Sequence, residues 1–432
     1  MKITIFHYHL NPGGVTRIIE SQVAAITHNY PNTKLQVITG HCENINYYKK
    51  LGVDININEK LNYLPDINYT IADLQLYFND LYNWVLNLID NNEILHVHNL
   101  NLGKNPVFTL VIQKLLNKGH KVINHAHDFA EDRPSNITFL QKIIGNHFKK
   151  NLTSVLYPNN KNYLIGVLNQ SDFKRVENYG VQKKRIYLWP NPVFVQKKTA
   201  QNKTKAKLRL INTFNIKQNH KIITYPVRVI QRKNIGELIL LALLFSDNCT
   251  FLVTMQPRNP FEIQYYNNWK KFCVKNRINV IFEAGENEGF ETIIAGSDYC
   301  ITTSRKEGFG MAFLEPWLME TPVIGRNIEY VTNDIKNAGI EFPLLYNKFI
   351  VPFYNQIFDF KNLNNDRQQA AILNIINGTL KKEKLFELNG FLSSFPPQIS
   401  NTTILKNKNT IKQEFSLNKY AEQLFKAYRD TP

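Results

Sequence analysis

Residues 297–326, SDYCITTSRKEGFGMAFLEPWLMETPVIGR, decide the fold. Tyr299-Cys300-Ile301-Thr302 is a short β-type run, and Ser304-Arg305-Lys306 is a polar turn. Glu307-Gly308-Phe309-Gly310 follows, then an apolar segment of helical character, Met311 to Met319. Pro322-Val323-Ile324 is strand-like again. Strand, glycine loop, helix and strand make one βαβ unit, which places this segment in a parallel sheet.

Such a loop lies at the carboxyl end of a strand and the amino end of a helix. Open α/β sheets bind ligands there, because the helix leaves unpaired N–H groups pointing outward. Gly308 and Gly310 remove side chains and admit a ligand close to the backbone. Two carboxylates bracket the helix start, Glu307 before it and Glu315 within it. Carboxylates that accept paired hydrogen bonds suit sugar and ribose hydroxyls.

Upstream, Ile222 to Tyr225 reads as a buried strand. Pro226-Val-Arg228-Val-Ile-Gln-Arg232-Lys233 then leads into an apolar helix, Leu238 to Phe245. Cations at a helix start oppose the helix dipole, so a function explains them better than stability does. Arg232 stands beside Lys233 and is able to replace it. Thr250–Met255 and Asn279–Glu283 read as strands, with helices near Phe261–Val274 and Glu291–Ala295 and a turn at 284–287. Downstream, 340–365 has no clear period, a helix covers about Arg367–Asn377, and 390–410 is loop-like. Ser416 to Arg429 is an amphipathic helix capped by Ser416.

The first half repeats the same grammar. Lys2–Tyr8 is a strand, Asn11-Pro12-Gly13-Gly14 a turn, and Val15–Ile26 a helix with one apolar stripe. Leu35–Thr39 is the second strand. Within 42–92 only a helix from about Ile71 to Leu88 is legible. Ile94–His98 and Val122–His127 are buried strands around a helix at Val107–Leu116. A helix near Phe139–Lys149 precedes strands at Ser154–Tyr157 and Tyr163–Leu168. Asn169 begins a helix over Phe173–Asn178, and Arg185–Trp189 is the last strand of this half. Residues 195–219 are polar and lysine-rich, as in a linker and the edge of a second domain.

Three H-x-H pairs, His7/His9, His96/His98 and His125/His127, end three of these strands. Residues two apart on a strand share a face, so adjacent strands gather several imidazoles. One reading is a metal site. The better one is a polar floor that contacts sugars, because no carboxylate joins them in a fixed ligand pattern. Behind them Asp128, Glu131, Asp132 and Arg133 form either an acceptor-binding lip or a solvated capping loop.

With 432 residues, 43% hydrophobic and 12% aromatic, the chain has material for two domains with real cores. The longest apolar stretch, Leu238 to Phe245, is too short to span a bilayer. The N-terminus turns polar within a few residues, as a first strand does and a signal peptide does not. Four cysteines without C-x-x-C spacing argue against a disulfide scaffold or a zinc knuckle. A cytoplasmic protein is expected. The net charge of +17 comes from dispersed lysines, with no basic run interleaved with aromatics, so nucleic acid is not an expected partner. Loose contact with anionic lipid at the inner membrane face fits that charge.

Glu307-Gly-Phe-Gly-Met-Ala-Phe-Leu-Glu315 resembles the E-x7-E signature of retaining glycosyltransferase family four, which has the GT-B fold. Thr321-Pro322-Val323-Ile324 is similar to that family's G-T-P-V-I run, with Glu320 where glycine is usual. Arg228 and Lys233 resemble its R-x4-K pair, with Val227 in place of the usual glycine. Asn11-Pro12-Gly13-Gly14, His125-Ala-His127-Asp128-Phe129 and Pro190-Asn191-Pro192-Val193 match further segments, so the resemblance spans nearly the whole chain.

The resemblance implies two facing Rossmann-like domains with parallel sheets, residues 1–193 for the acceptor and 194–415 for the donor. The C-terminal helix within 416–432 would pack back on the first domain, and closure would exclude water. It also implies retaining, metal-independent hexosyl transfer from a nucleotide-diphospho-sugar (UDP-, GDP- or ADP-) to a hydroxyl of a saccharide, glycolipid or small polyol, with no cofactor. Glu307, with Gly308, Phe309 and Gly310, would hold the donor sugar, and Glu315 the ribose. Arg228 and Lys233 would clamp the diphosphate, whose charge grows as the sugar bond breaks. Gly13 and Gly14 would approach the phosphates. His127, or less readily His125, would touch the sugar near the reacting carbon. His9, Asp128 and Arg133 would face the acceptor. The turn Ala284–Asn287 would hold the base. The absence of D-x-D spacing argues against a metal-dependent site of the GT-A type. Rival readings are a GT-B phosphorylase, which would need free phosphate, and a noncatalytic sugar- or membrane-surface binder on the same scaffold.

Overall fold

Runs such as Ile3-Thr-Ile-Phe6 and Ile94-Leu-His-Val97 are apolar without alternation, and strands of that kind need cover on both faces. The computed structural model, which describes residues 1–194, 202–354 and 356–431, gives them that cover. Residues Met1–Pro192 with Phe415–Pro432 form one unit, and Val193–Glu414 a second.

The first unit holds a seven-stranded sheet: β1 (Lys2–His7), β2 (Lys34–Thr39), β3 (Asp54–Ile57), β4 (Ile94–His98), β5 (Lys121–Ala126), β6 (Tyr163–Val167) and β7 (Ile186–Leu188). Their order is β3-β2-β1-β4-β5-β6-β7, all parallel. The chain works outward from β1 to one edge and returns to add β4 on the other side. The crevice beyond the carboxyl ends of β1 and β4 is therefore a topological switch point, where open sheets bind ligands. Helix α1 (Gly14–Asn29) buries Ile18, Ile19, Val23 and Ile26. The C-terminal helix, Leu417–Asp430, starts at Ser416, whose hydroxyl accepts from the Lys419 N–H at 3.2 Å. Its Leu424, Phe425 and Tyr428 share a core with the α1 stripe.

The second unit has a six-stranded parallel sheet: β8 (Lys221–Arg228), β9 (Cys249–Met255), β10 (Val280–Ile281), β11 (Tyr299–Thr302), β12 (Val323–Arg326) and β13 (Leu345–Tyr346). The order β10-β9-β8-β11-β12-β13 puts its switch point between β8 and β11. An antiparallel hairpin, β14 (Ile350–Phe353) with β15 (Gln356–Asp359), and helix Asn365–Ile376 complete its large apolar cluster. Both domains are α/β and Rossmann-like.

Several local expectations are corrected. Ser154–Tyr157 is not a strand: Leu152–Leu156 is a helix, because the Asn151 side chain caps it by accepting from the Ser154 N–H at 3.0 Å. Residues 390–410 are not all loop. Helix Asn401–Glu414 is stabilised by buried Ile411 and by Asn407, which exchanges two hydrogen bonds with the backbone of Glu341. Of the expected linker, 195–201 lie outside the described residues, as does Pro432. The remainder contains helix Lys203–Phe214, anchored by Leu210 and by Lys207 on Asp298 at 2.8 Å. The expected helix Met311–Met319 splits into a 3-10 turn, Met311–Phe313, and a short helix, Glu315–Leu318. Pro316 has no N–H for a continuous ladder and its ring crowds the preceding turn, so the helix restarts there. Glu315 is thus the first helical residue and not one deep inside. Strand β3 and helix Glu329–Asn337 have no counterpart among the expectations.

The glycine substitutions have a physical reading. Glu320 takes a left-handed φ of 59°, which explains why glycine suits that position. Its carboxylate accepts from Lys408 at 2.6 Å and its carbonyl from Lys203 at 2.7 Å. Val227 sits in a register shift of β8 between Tyr225 and Arg228, where the strand bulges around Pro226.

Candidate functional site

In the second unit the residues after β8 and the residues after β11 meet at the switch point. Glu307 is 6% exposed and its carboxylate is crowded with donors. Lys233 Nζ, Arg232 Nη1 at 2.8 Å and Ser304 Oγ at 2.6 Å all donate to it. Tyr330 fixes its backbone: the hydroxyl accepts from the Glu307 N–H at 2.9 Å and donates to the Glu307 carbonyl at 2.7 Å. Burial pushes the Glu307 carboxyl up, but Lys233 and Arg232 outweigh it, so its pKa lies below the ordinary value. Burial acts against the Lys233 charge as well. Three donors on one carboxylate leave Glu307 ionised.

A second layer holds the cation loop. Asn234, fully buried and left-handed at φ 57°, uses its whole amide. It donates to Glu237 at 3.0 Å and the Thr303 carbonyl at 3.2 Å, and accepts from Arg305 at 3.1 Å and Gln368 at 2.8 Å. Thr303 and Tyr225 hydroxyls both donate to the Lys233 carbonyl. Below this, Arg326 forks onto Glu237 and Asp359 while Tyr346 donates to Glu237 at 2.6 Å. Every buried charge here has a partner, as the cost of burying charge requires.

Arg228 is half-buried at the end of β8, and among the described residues no carboxylate pairs with it. Burial, then the like charge of Arg258, disfavours its charged form. Two guanidiniums without a carboxylate partner among the described residues make an anion-seeking corner. Gly310 adopts φ 88°, where only glycine fits readily, and an added Cβ would come within 2.7 Å of Val331. Phe309 is buried beside it. Glu315 starts its helix and is part-buried. Ala284–Asn287 is a helical turn following Glu283, itself left-handed at φ 59°.

In the first unit, Gly13 precedes α1 in extended backbone and Gly14 begins it; no atom lies within 4 Å of a Cβ built on Gly14. His9 is part-buried and its ring lies 4.8 Å from that of Tyr63. Asp128 and Arg133 form a loose ion pair at 3.4 Å. Asn99, left-handed at φ 59°, accepts from the N–H groups of both His127 and Asp128, at 2.8 and 3.0 Å.

The histidines do not form an open polar floor, which corrects that expectation. His96, His98 and His125 are fully buried and His127 is 8% exposed. His98 lies 2.8 Å from His127 and 2.7 Å from Gln22 Oε1; Tyr428 lies 2.9 Å from His96. Three of the rings, those of His96, His98 and His125, bring nitrogens within 4.8 Å of one another, but His96 and His98 stack at 30° and hydrogen bonds already engage both nitrogens of each of these two. Burial comes first among the causes that hold all four imidazoles neutral, with His96 lowered to about 3.

Sequence reading brought out Glu307, Arg228 and Lys233, and the structure brings Glu307 and Lys233 together. It missed Ser304, Tyr330, Asn234 and Arg258 around them, and Gln22 and Tyr428 around the histidines. Only Asn234 carried a local signal, as asparagine tolerates left-handed backbone.

No protein-family model matches the chain. Mannosylglucosyl-3-phosphoglycerate synthase of Petrotoga mobilis is 31% identical over 373 residues, covering 80% of this chain and 68% of that protein. Among solved structures, Anabaena HepE in complex with UDP-glucose aligns with a TM-score of 0.60 at 13% identity, over 99% of each chain. WaaG, a glycosyltransferase involved in lipopolysaccharide biosynthesis, aligns at 0.57 and 13%, again over 99% of each chain. The two structural likenesses show the fold, and the sequence relative shows the family: this chain belongs with the Petrotoga synthase in a family of glycosyltransferases of GT-B fold.

Proposed function

We propose that the chain is a retaining glycosyltransferase that moves a sugar from a nucleotide-diphospho-sugar to a hydroxyl acceptor. The observation that carries this reading is Glu307, ionised and buried at the second unit's switch point under Lys233, Arg232 and Ser304. A carboxylate held in that way is ready to accept from sugar hydroxyls. Gly308, Phe309 and Gly310 shape the wall beside it, and Glu315 binds the ribose. Arg228 and Lys233 meet the diphosphate charge that grows as the glycosidic bond breaks, and they lower the barrier without a metal. Among the described residues no carboxylate holds Arg228, whereas Lys233 must share itself with Glu307.

In the first unit Gly13 and Gly14 leave open backbone for phosphates, and His127 contacts the sugar. His9, Asp128 and Arg133 bind the acceptor. The Petrotoga relative's name contains a phosphoglycerate, and Lys104 with Arg133 would suit an acceptor bearing an anionic group. Burial, then Arg133, lowers the pKa of Lys104. The enzyme works in the cytoplasm, and its +17 charge favours loose contact with anionic membrane.

The test is thermal stabilisation by UDP, GDP, ADP and their sugar conjugates, with Arg228→Ala as control. A ligand that binds only the folded state raises Tm in proportion to its affinity. One nucleotide should raise Tm, and the control should lose that shift while folding normally. No shift with any of them would remove the donor reading.

A further inference from the structure

The histidine array contains a proton order that can be followed atom by atom. Gln22 Oε1 only accepts, so the 2.7 Å contact requires a proton on His98 Nε2. A fully buried imidazole among other imidazoles stays neutral, so His98 Nδ1 is bare. The 2.8 Å contact from His98 Nδ1 to His127 Nε2 then needs the proton on His127. His127 Nδ1 is left as a lone pair, and among the described residues no group donates to it.

The same amide orientation sets the other branch. Gln22 Nε2 donates to the Tyr428 hydroxyl at 2.8 Å, and that hydroxyl donates to His96 Nδ1 at 2.9 Å. His96 Nε2 must then donate to His125 Nδ1, at 3.4 Å. This branch ends on His125 Nε2, which is buried without a partner. One glutamine on α1, gripped from the C-terminal helix, therefore orients both branches.

We propose that His98 is a positioning residue that holds His127 in its Nε2–H form, so that Nδ1 faces a substrate hydroxyl as an acceptor. The inference rests on the reading of His127 as a sugar contact. It adds that His127 selects a hydroxyl donor and does not itself donate.

The experiment is nitrogen NMR on the full chain labelled with ¹⁵N-histidine at neutral pH, the His127 signals being those lost in His127→Gln. The expected spectrum shows His127 protonated at Nε2 and bare at Nδ1. His98→Asn, whose amide oxygen replaces the Nδ1 acceptor, should preserve that form. His98→Phe should give a mixture of tautomers, and if it fails to fold, Gln22→Met provides the same loss of order one residue further back. A wild-type His127 protonated at Nδ1, as a reversed Gln22 amide would produce, overturns the proposal. So does an unchanged tautomer in both disrupting variants. Hydrolysis of UDP-glucose, GDP-mannose and ADP-glucose by His127→Ala separates the two ideas: retained turnover sinks the sugar-contact reading and leaves the tautomer result standing.

Discussion

Arg232 Nη1 lies 2.8 Å from the Glu307 carboxylate, while Arg228, the first cation of the R-x4-K pair, takes no part in that ion pair. The loop therefore splits its charges. Lys233 and Arg232 serve the carboxylate, and Arg228 stands with Arg258 away from it. Ligand-free stability and ligand binding should separate along the same line.

Lys233→Ala should destabilise the second unit by about 1–3 kcal/mol, since Glu307 loses its more buried cation. Lys233→Ala combined with Glu307→Gln should recover part of that loss, because the buried carboxylate charge is removed and the Arg232 charge left behind is half-exposed. Urea midpoints of the two variants check this. Equal midpoints would mean that the pair contributes little.

Arg228→Ala and Arg258→Ala should leave the urea midpoint unchanged, as neither cation has a carboxylate partner among the described residues. Each should weaken nucleotide-diphosphate binding by roughly 10- to 100-fold, the loss of one charged hydrogen bond. Calorimetric titration with the nucleotide that raises Tm would show it. An intact affinity in Arg258→Ala would place that cation outside the site.

Acid should destabilise the first unit early. His7 and His96, pushed down to about 3 by burial, refuse protons that the unfolded chain accepts below about pH 6.5. The unfolded state then binds more protons, so stability is full above that pH and falls below it. The slope approaches about 1.4 kcal/mol per pH unit for each such histidine. Glu307, with its pKa lowered, adds a loss only below the ordinary carboxylate range. Urea midpoints recorded between pH 8 and pH 5 should fall in that interval, and a flat profile would contradict the buried, neutral array.

Glu320→Gly should be close to neutral. Relief of the left-handed backbone, about 1 kcal/mol, offsets the lost Lys408 pair and the added freedom of the unfolded chain. Glu320→Val, which cannot take φ 59° cheaply, should cost roughly 1–2 kcal/mol. Thermal melts compare them, and equal losses would argue that φ at this position is not what matters.

The legible parts of this protein were those written locally. Period-two and unbroken apolar runs, glycine turns and caps such as Ser416 and Asn169 give strands and helices from near neighbours in sequence, and βαβ alternation then implies parallel sheets. The R-x4-K and E-x7-E spacings also lie within single loops, so Glu307, Arg228 and Lys233 stood out. What the chain does with those residues depended on partners far away. Lys233 and Glu307 are 74 positions apart, and Tyr428 reaches Gln22 over 406. Distant contacts of that kind decided that Arg232 shares the carboxylate, that helix Asn401–Glu414 forms around Asn407, and that the H-x-H pairs become a buried array. A hydrogen bond constrains geometry within about 3 Å of its atoms. Spacing along the chain says nothing about such distances until the sheets have brought the strand ends together.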